Sequence, residues 1–315
     1  MMLGRTAGEL FWMCRYLERS ENTARLIDAG FRMSLTRSKS ASSEWSSVLA
    51  TVGCAELYKE RHDEIQGDKV IDFLLRDKTN PTSVLNMFQG ARENARRTRT
   101  ALTLELWEAI NASWMELSDA LRRQVANTNT IDVLAMIRQQ TALIRGCLYG
   151  TLLRNDIYRF CQAGQLIERA DNTARILDVK YYVLLPTAAY VGSPLDNVQW
   201  EMLLRSASAE RAFHWVHEGE TSPAAIAKFL MLDKQLPRSL AYCYDQLERH
   251  LVRLSVHYGD RDFPSAKKAS DFNRTLSNQT INDVFESGLH EFIAWFLSAN
   301  GDLASQIETD FRFNA

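Results

Sequence analysis

Apolar residues recur at helical spacing along almost the whole chain. Leu10, Met13, Leu17, Ala24 and Ile27 share one face of the first such stretch, and strand-like alternation is hard to find. The pattern predicts an all-α fold, with helices at roughly 6–34, 43–60, 69–78, 82–98, 100–126, 130–153, 156–184, 197–217, 223–232, 238–258 and 280–298. Ser222-Pro223 reads as an N-cap followed by proline at the first helical position, where its missing N–H is no loss. Asn80-Pro81-Thr82-Ser83 is a break and restart, mirrored by Leu236-Pro237-Arg238-Ser239. Leu185 to Asn197 and Tyr258 to Ala269 read as irregular connections.

The helical pattern repeats, and so do its polar letters. LERSENTARLID (Leu17 to Asp28) returns as IERADNTARILD (Ile167 to Asp178), with seven of twelve positions identical. DFLLRDKTNPTS (Asp72 to Ser83) aligns with KFLMLDKQLPRS (Lys228 to Ser239), Trp45 with Trp200, and Thr130-Ile131 with Thr280-Ile281. The offset drifts from 150 to 156 and back, as loop insertions and deletions would make it do. The chain is therefore read as a tandem duplication of one helical unit, 1–150 and 151–315, packed together as a pseudo-twofold helical bundle.

On a helical wheel Glu18, Asn22 and Arg25 form one stripe, and Glu168, Asn172 and Arg175 form the same stripe in the second copy. The apolar face runs on the other side, through Leu17, Ala24 and Ile27. A Glu–Arg pair at i,i+4 on an exposed helix is worth only about 0.2–0.5 kcal/mol, too little to hold so many identities through divergence. Three readings follow. The stripes form a buried ion-pair and hydrogen-bond network, in which removing one partner strands the other. Alternatively the two Glu and two Arg, with Asp28 and Asp178 one turn on, line a cleft for a peptide or amino-acid ligand. In the third reading the Glu pair acts as general acid and base, although no nucleophile or water-activating metal accompanies it.

Composition narrows the classes. With 315 residues, 46% of them hydrophobic, the chain can build a sizeable core, and 10% aromatics argue against wholesale disorder. A net charge of −2 supplies no basic field for nucleic acid. No apolar run of spanning length occurs, and the N-terminus, broken by Arg5, Glu9 and Arg15, is not read as a signal peptide, so no membrane association is expected. Five cysteines without CxxC or metal spacing fit reduced thiols, and the expected location is cytoplasmic.

The remaining candidates are local. Glu210, His214 and His217 share a helical face but lack a fourth ligand, and the first half offers Ala55, Lys59 and Arg61 instead, so no metal site is expected. Arg92, Glu93, Asn94 and Arg96 form a solvated charged face or a docking surface for a partner. Trp107 and Trp114, seven apart, read as core knobs. No Gly-rich phosphate loop, GxSxG elbow, Walker A or HExxH motif is present, which counts against a stand-alone catalyst; no catalytic residue or cofactor is assigned.

RYLERSENTARLID (Arg15 to Asp28), GARENAR (Gly90 to Arg96), LIERADNTARILD (Leu166 to Asp178) and FLMLDKQLPRS (Phe229 to Ser239) together resemble the signature blocks of the bacterial alpha-E proteins, an all-helical family named for a Glu-Arg motif. The resemblance covers nearly the full length, although FRMSLTRSKS (from Phe31) carries no recognisable family signature. By this resemblance the motif falls on Glu18-Arg19 and Glu168-Arg169, with Asn22, Arg25, Asn172 and Arg175 beside them. Family members are usually encoded beside circularly permuted ATP-grasp proteins and transglutaminase-like proteins. The implied role is therefore a non-catalytic helical partner in a peptide or amide-bond forming system, binding a ligase or its peptide substrate. The alternative is an enzyme subunit that processes an amino acid or peptide through the paired Glu/Arg cleft.

Overall fold

A computed structural model describes residues 2–36, 41–182, 194–217 and 221–314. Helices joined by turns and short irregular links account for them, without a strand among the described residues. The chain divides into two compact units: Met1–Gln165 with Phe311–Ala315, and Leu166–Asp310.

The first unit is built on α1 (Gly4–Thr36), against which α2 (Ala41–Val52), α4 (Gly67–Leu75), α5 (Val84–Arg97) and α7 (Thr130–Thr151) pack. Short α3 (Ala55–Lys59) follows α2, and α6 (Leu104–Ala120) lies between α5 and α7. Ser83 caps α5 and Thr103 caps α6, each hydroxyl accepting from the backbone N–H three residues on. The first turns of α8 (Asp156–Tyr182) belong here too. They approach α1 so closely that a Cβ on Gly164 would sit 2.1 Å from the Phe11 carbonyl oxygen, so only glycine fits. The last residues of the chain close this unit, with the Phe311 ring against Phe160 and Phe313 against Phe11.

The second unit holds the rest of α8 with α9 (Pro194–Ser206), α10 (Glu210–Val216), α11 (Pro223–Leu232), α12 (Leu240–His257), α13 (Pro264–Asn278), α14 (Ile281–Ser287) and α15 (Leu289–Asp310). Tyr244, Phe272 and Phe296 form an aromatic core between α12, α13 and α15. Ser222 and Ser239 cap α11 and α12, and Thr280 with Asp283 makes a full capping box on α14.

The structure corrects several expected boundaries. The stretch read as irregular, Tyr258 to Ala269, contains the start of α13, with Pro264 at its first turn. The single helix expected at 280–298 is two, divided by Gly288 at φ 95°. Gly53 at φ 78° divides the helix expected at 43–60, and Ser208 at φ 52° divides the one at 197–217. Of Leu185 to Asn197, residues up to 193 lie outside the described residues, and Pro194 begins α9.

After each of these paired breaks comes the same ring cluster. In the first unit Tyr58 stacks on His62 at 4.4 Å, and both meet Phe73 edge-on. In the second, Phe213 stacks on His217 at 4.5 Å, and both meet Phe229 edge-on. His62 and His217 lie 155 positions apart, the interval that separates Trp45 from Trp200.

Candidate functional site

The polar stripe of α1 has two main readings, a buried network and an open ligand cleft. The stripe is enclosed: Glu18, Glu21 and Asn22 are 2%, 1% and 3% exposed. The enclosing element is α7, and it brings the charges that make burial tolerable. Arg145 donates from Nη2 to Glu21 Oε2 and lies 3.9 Å from Glu18 Oε2. Arg25 donates from Nε to Glu21 Oε1 at 3.0 Å, so Glu21 takes an arginine on each oxygen. Gln165 Nε2 donates to Glu18 Oε2 at 3.1 Å. Two turns on, Asp28 accepts from Arg32 Nε at 2.9 Å and from Arg138 Nη1 at 3.4 Å. Burial pushes the Arg138 pKa down against the pull of Asp28, and neighbouring Arg25 and Arg32 push the same way.

A small hollow lies beside this ladder. Cys14, Glu18, Thr141, Arg145 and Gln165 help to line a cavity of about 20 Å3. A water needs roughly 10–15 Å3, so the space admits one water and no amino acid. Cys14 below it is hydrogen-bonded to Cys161; that bond, burial and the nearby Glu18 charge push its thiol well above the ordinary range. Burial alone carries Cys54 to about 12 despite an opposing backbone hydrogen bond. Neither thiol is poised as a nucleophile.

In the second unit Glu168, Arg169 and Asn172 are likewise buried. Arg169, the second letter of the Glu-Arg pair, reaches the Pro237 carbonyl oxygen from Nη1 at 3.4 Å. Thr173 Oγ1 donates to the Arg238 carbonyl oxygen at 2.8 Å. The IERADNTARILD segment thus ties down the DKQLPRS turn, whose Asp233 carboxylate accepts from the Gln235 and Leu236 N–H groups. Asn300 joins α15 to α8 by donating to the Ile167 carbonyl oxygen, while the Tyr244 hydroxyl donates to Asn300 Oδ1 at 2.9 Å. Arg175 is held by Asp171 at 2.6 Å, and Asp178 by His290 at 2.7 Å.

Sequence reasoning placed Glu18, Asn22 and Arg25 on one stripe of α1, with Asp28 one turn on, but it left Glu21 off that stripe, where Arg25 and Arg145 converge. The signal was the Glu21–Arg25 spacing, which was valued as a surface pair. Arg138, Arg145 and Gln165 had no local signal at all, because their role depends on α7 and α8 crossing α1. Arg19 is half-buried.

Some of the other candidates hold the fold together, and some are exposed. Arg92 Nε donates to Asn111 Oδ1 at 2.8 Å and so joins α5 to α6. Glu93 accepts from Gln89, the Asn94 carbonyl oxygen accepts from Thr98, and Arg96 is exposed. Trp107 and Trp114 are half-buried rather than core knobs, and Arg99 lies over the Trp107 ring. Glu210 pairs with Arg205, His214 is exposed and His217 is stacked on Phe213. Among the described residues no group of three or more His, Cys, Asp or Glu side chains could hold a metal ion, and no helix is long and apolar enough to cross a membrane.

No curated protein and no solved structure matches this chain. A family model does: that of Alpha-E, described as a predicted alpha-helical domain with a conserved ER motif, matches residues 2–311. With Glu18-Arg19 and Glu168-Arg169 in place on an all-helical fold, the chain belongs to the Alpha-E family.

Proposed function

We propose that this protein is a non-catalytic helical partner in an ATP-grasp-dependent system that forms peptide or amide bonds, and that it holds a ligase or its peptide substrate. The observation that carries this reading is the closure of the Glu18–Glu21–Arg145 ladder. Its carboxylates are committed to arginine and glutamine, and the cavity beside them has room for a water alone. An enzyme working through a paired Glu/Arg cleft needs open space there for an amino acid or peptide terminus.

The two halves are copies of one unit in this reading, arranged about a local twofold. Two features support it. The Tyr58–His62–Phe73 and Phe213–His217–Phe229 clusters share their geometry at matched sequence positions. The contacts of Phe11 with Gly164 and of Cys14 with Cys161 also exchange into each other at the offset of 150, as reciprocal contacts across a twofold do. In this reading the protein works in the cytoplasm, where its free thiols, four of them buried, stay reduced.

The test is reconstitution. Mixed with a circularly permuted ATP-grasp protein and a transglutaminase-like protein from the same source, the purified chain should co-elute with at least one of them in size-exclusion chromatography. Incubated alone with ATP and small peptides, it should release neither ADP nor a new or cleaved amide. Turnover by the isolated chain, or separate elution from both proteins, would refute the proposal.

A further inference from the structure

A different part of the first unit is open. A cleft of about 670 Å3 lies between the end of α4, the turn after it, the start of α5 and the end of α6. That volume is in the range of small-molecule sites, roughly 300–1,000 Å3. One wall is the duplicated block Asp72 to Ser83, and its turn is rigidly made. The Asp77 carboxylate accepts from the Thr79 N–H at 2.7 Å and the Thr79 hydroxyl at 2.6 Å. Asn80 repeats this arrangement with Thr82, and Asn86 Nδ2 donates to the Lys78 and Asn80 carbonyl oxygens. The backbone under Lys78 is thereby fixed in place.

The charges around the cleft are unevenly committed. Asp72 is engaged by Arg76 Nε at 2.5 Å, which leaves the terminal guanidinium nitrogens of Arg76 without a partner among the described residues. Asp77 is occupied by the turn: burial alone would raise its pKa, but the Thr79 hydrogen bonds hold it below the ordinary range. Lys78 is exposed and makes no ion pair among the described residues. Arg122 has only a 3.8 Å approach to Asp119. The half-buried Trp114 indole lines the same cleft and adds apolar surface to it. Cations with spare donors suit anionic oxygens, and an indole face suits a planar or apolar body.

We propose that this cleft binds a small organic anion, with a phosphate or carboxylate end on Lys78, Arg122 and Arg76 and a flat or apolar body against Trp114. The site is independent of the partner reading above, because none of these residues belongs to the Glu-Arg stripe. Calorimetric titration of the full chain with adenosine monophosphate and with N-acetylglutamate separates the two sources of negative charge. At least one should bind, and the one that does identifies the anionic group. The Lys78→Gln/Arg122→Gln double variant replaces two exposed side chains and should keep the parent's circular dichroism and melting temperature. It should weaken binding more than fivefold. Trp114→Leu should weaken the adenosine monophosphate complex more than that of inorganic phosphate. Absence of binding by both probes at millimolar concentration, or a loss under fivefold in the double variant, would overturn the assignment.

Discussion

Glu21 and Arg25 stand one turn apart on α1, and on an open helix that spacing is worth only about 0.2–0.5 kcal/mol. Enclosed by α7, with Arg145 on its second oxygen, the same carboxylate becomes the centre of a buried charge cluster. Breaking such a cluster by removing one member costs on the order of 3–5 kcal/mol, because its partners stay desolvated. Glu21→Ala should therefore lower stability in urea denaturation by about that amount. A loss below about 1 kcal/mol would place the pair in the surface class. At this scale the chain advertises its i,i+4 pairs plainly. It conceals Arg145, because 124 positions separate that residue from the carboxylate it serves.

Elements were legible where the apolar period runs long, and less so where the chain turns. The α1, α7, α8 and α12 stretches carry enough periodic residues to mark themselves. The α13 helix was missed because DRDFPSAKK reads as a loop until Pro264 is seen at a helical first turn. The breaks at Gly53, Ser208 and Gly288 depend on a positive φ, which composition does not announce. Gly164 shows the same limit: it looks like a weak point in a helix and is the point where α8 touches the α1 backbone. Gly164→Ala should destabilise by about 1–3 kcal/mol or more, as overpacking does. Gly146→Ala on the exposed face of α7, where a Cβ meets nothing, should stabilise by up to about 1 kcal/mol. Thermal melts of the two variants shifting in the same direction would contradict the contact.

For the whole molecule, the division into units does not follow the order of the chain. Residues 311–315 return to the first unit, where Phe311 meets Phe160 and Phe313 meets Phe11. Phe→Ala in a core costs about 3–5 kcal/mol. Phe311→Ala should thus accelerate hydrogen exchange in α1 and α5 while leaving the Tyr244–Phe272–Phe296 core of the second unit protected. Equal acceleration in both would show that the units do not unfold separately. The sequence by itself determined the helical class, the two Glu-Arg blocks and the caps that start many helices, since each rests on residues a few positions apart. Only the tertiary structure decided that Glu21 is a buried hub, that Arg169 holds the Pro237 turn, and that the open cleft lies beside Lys78 and Trp114. Those depend on which helices cross and how closely, and distant parts of the chain settle that jointly.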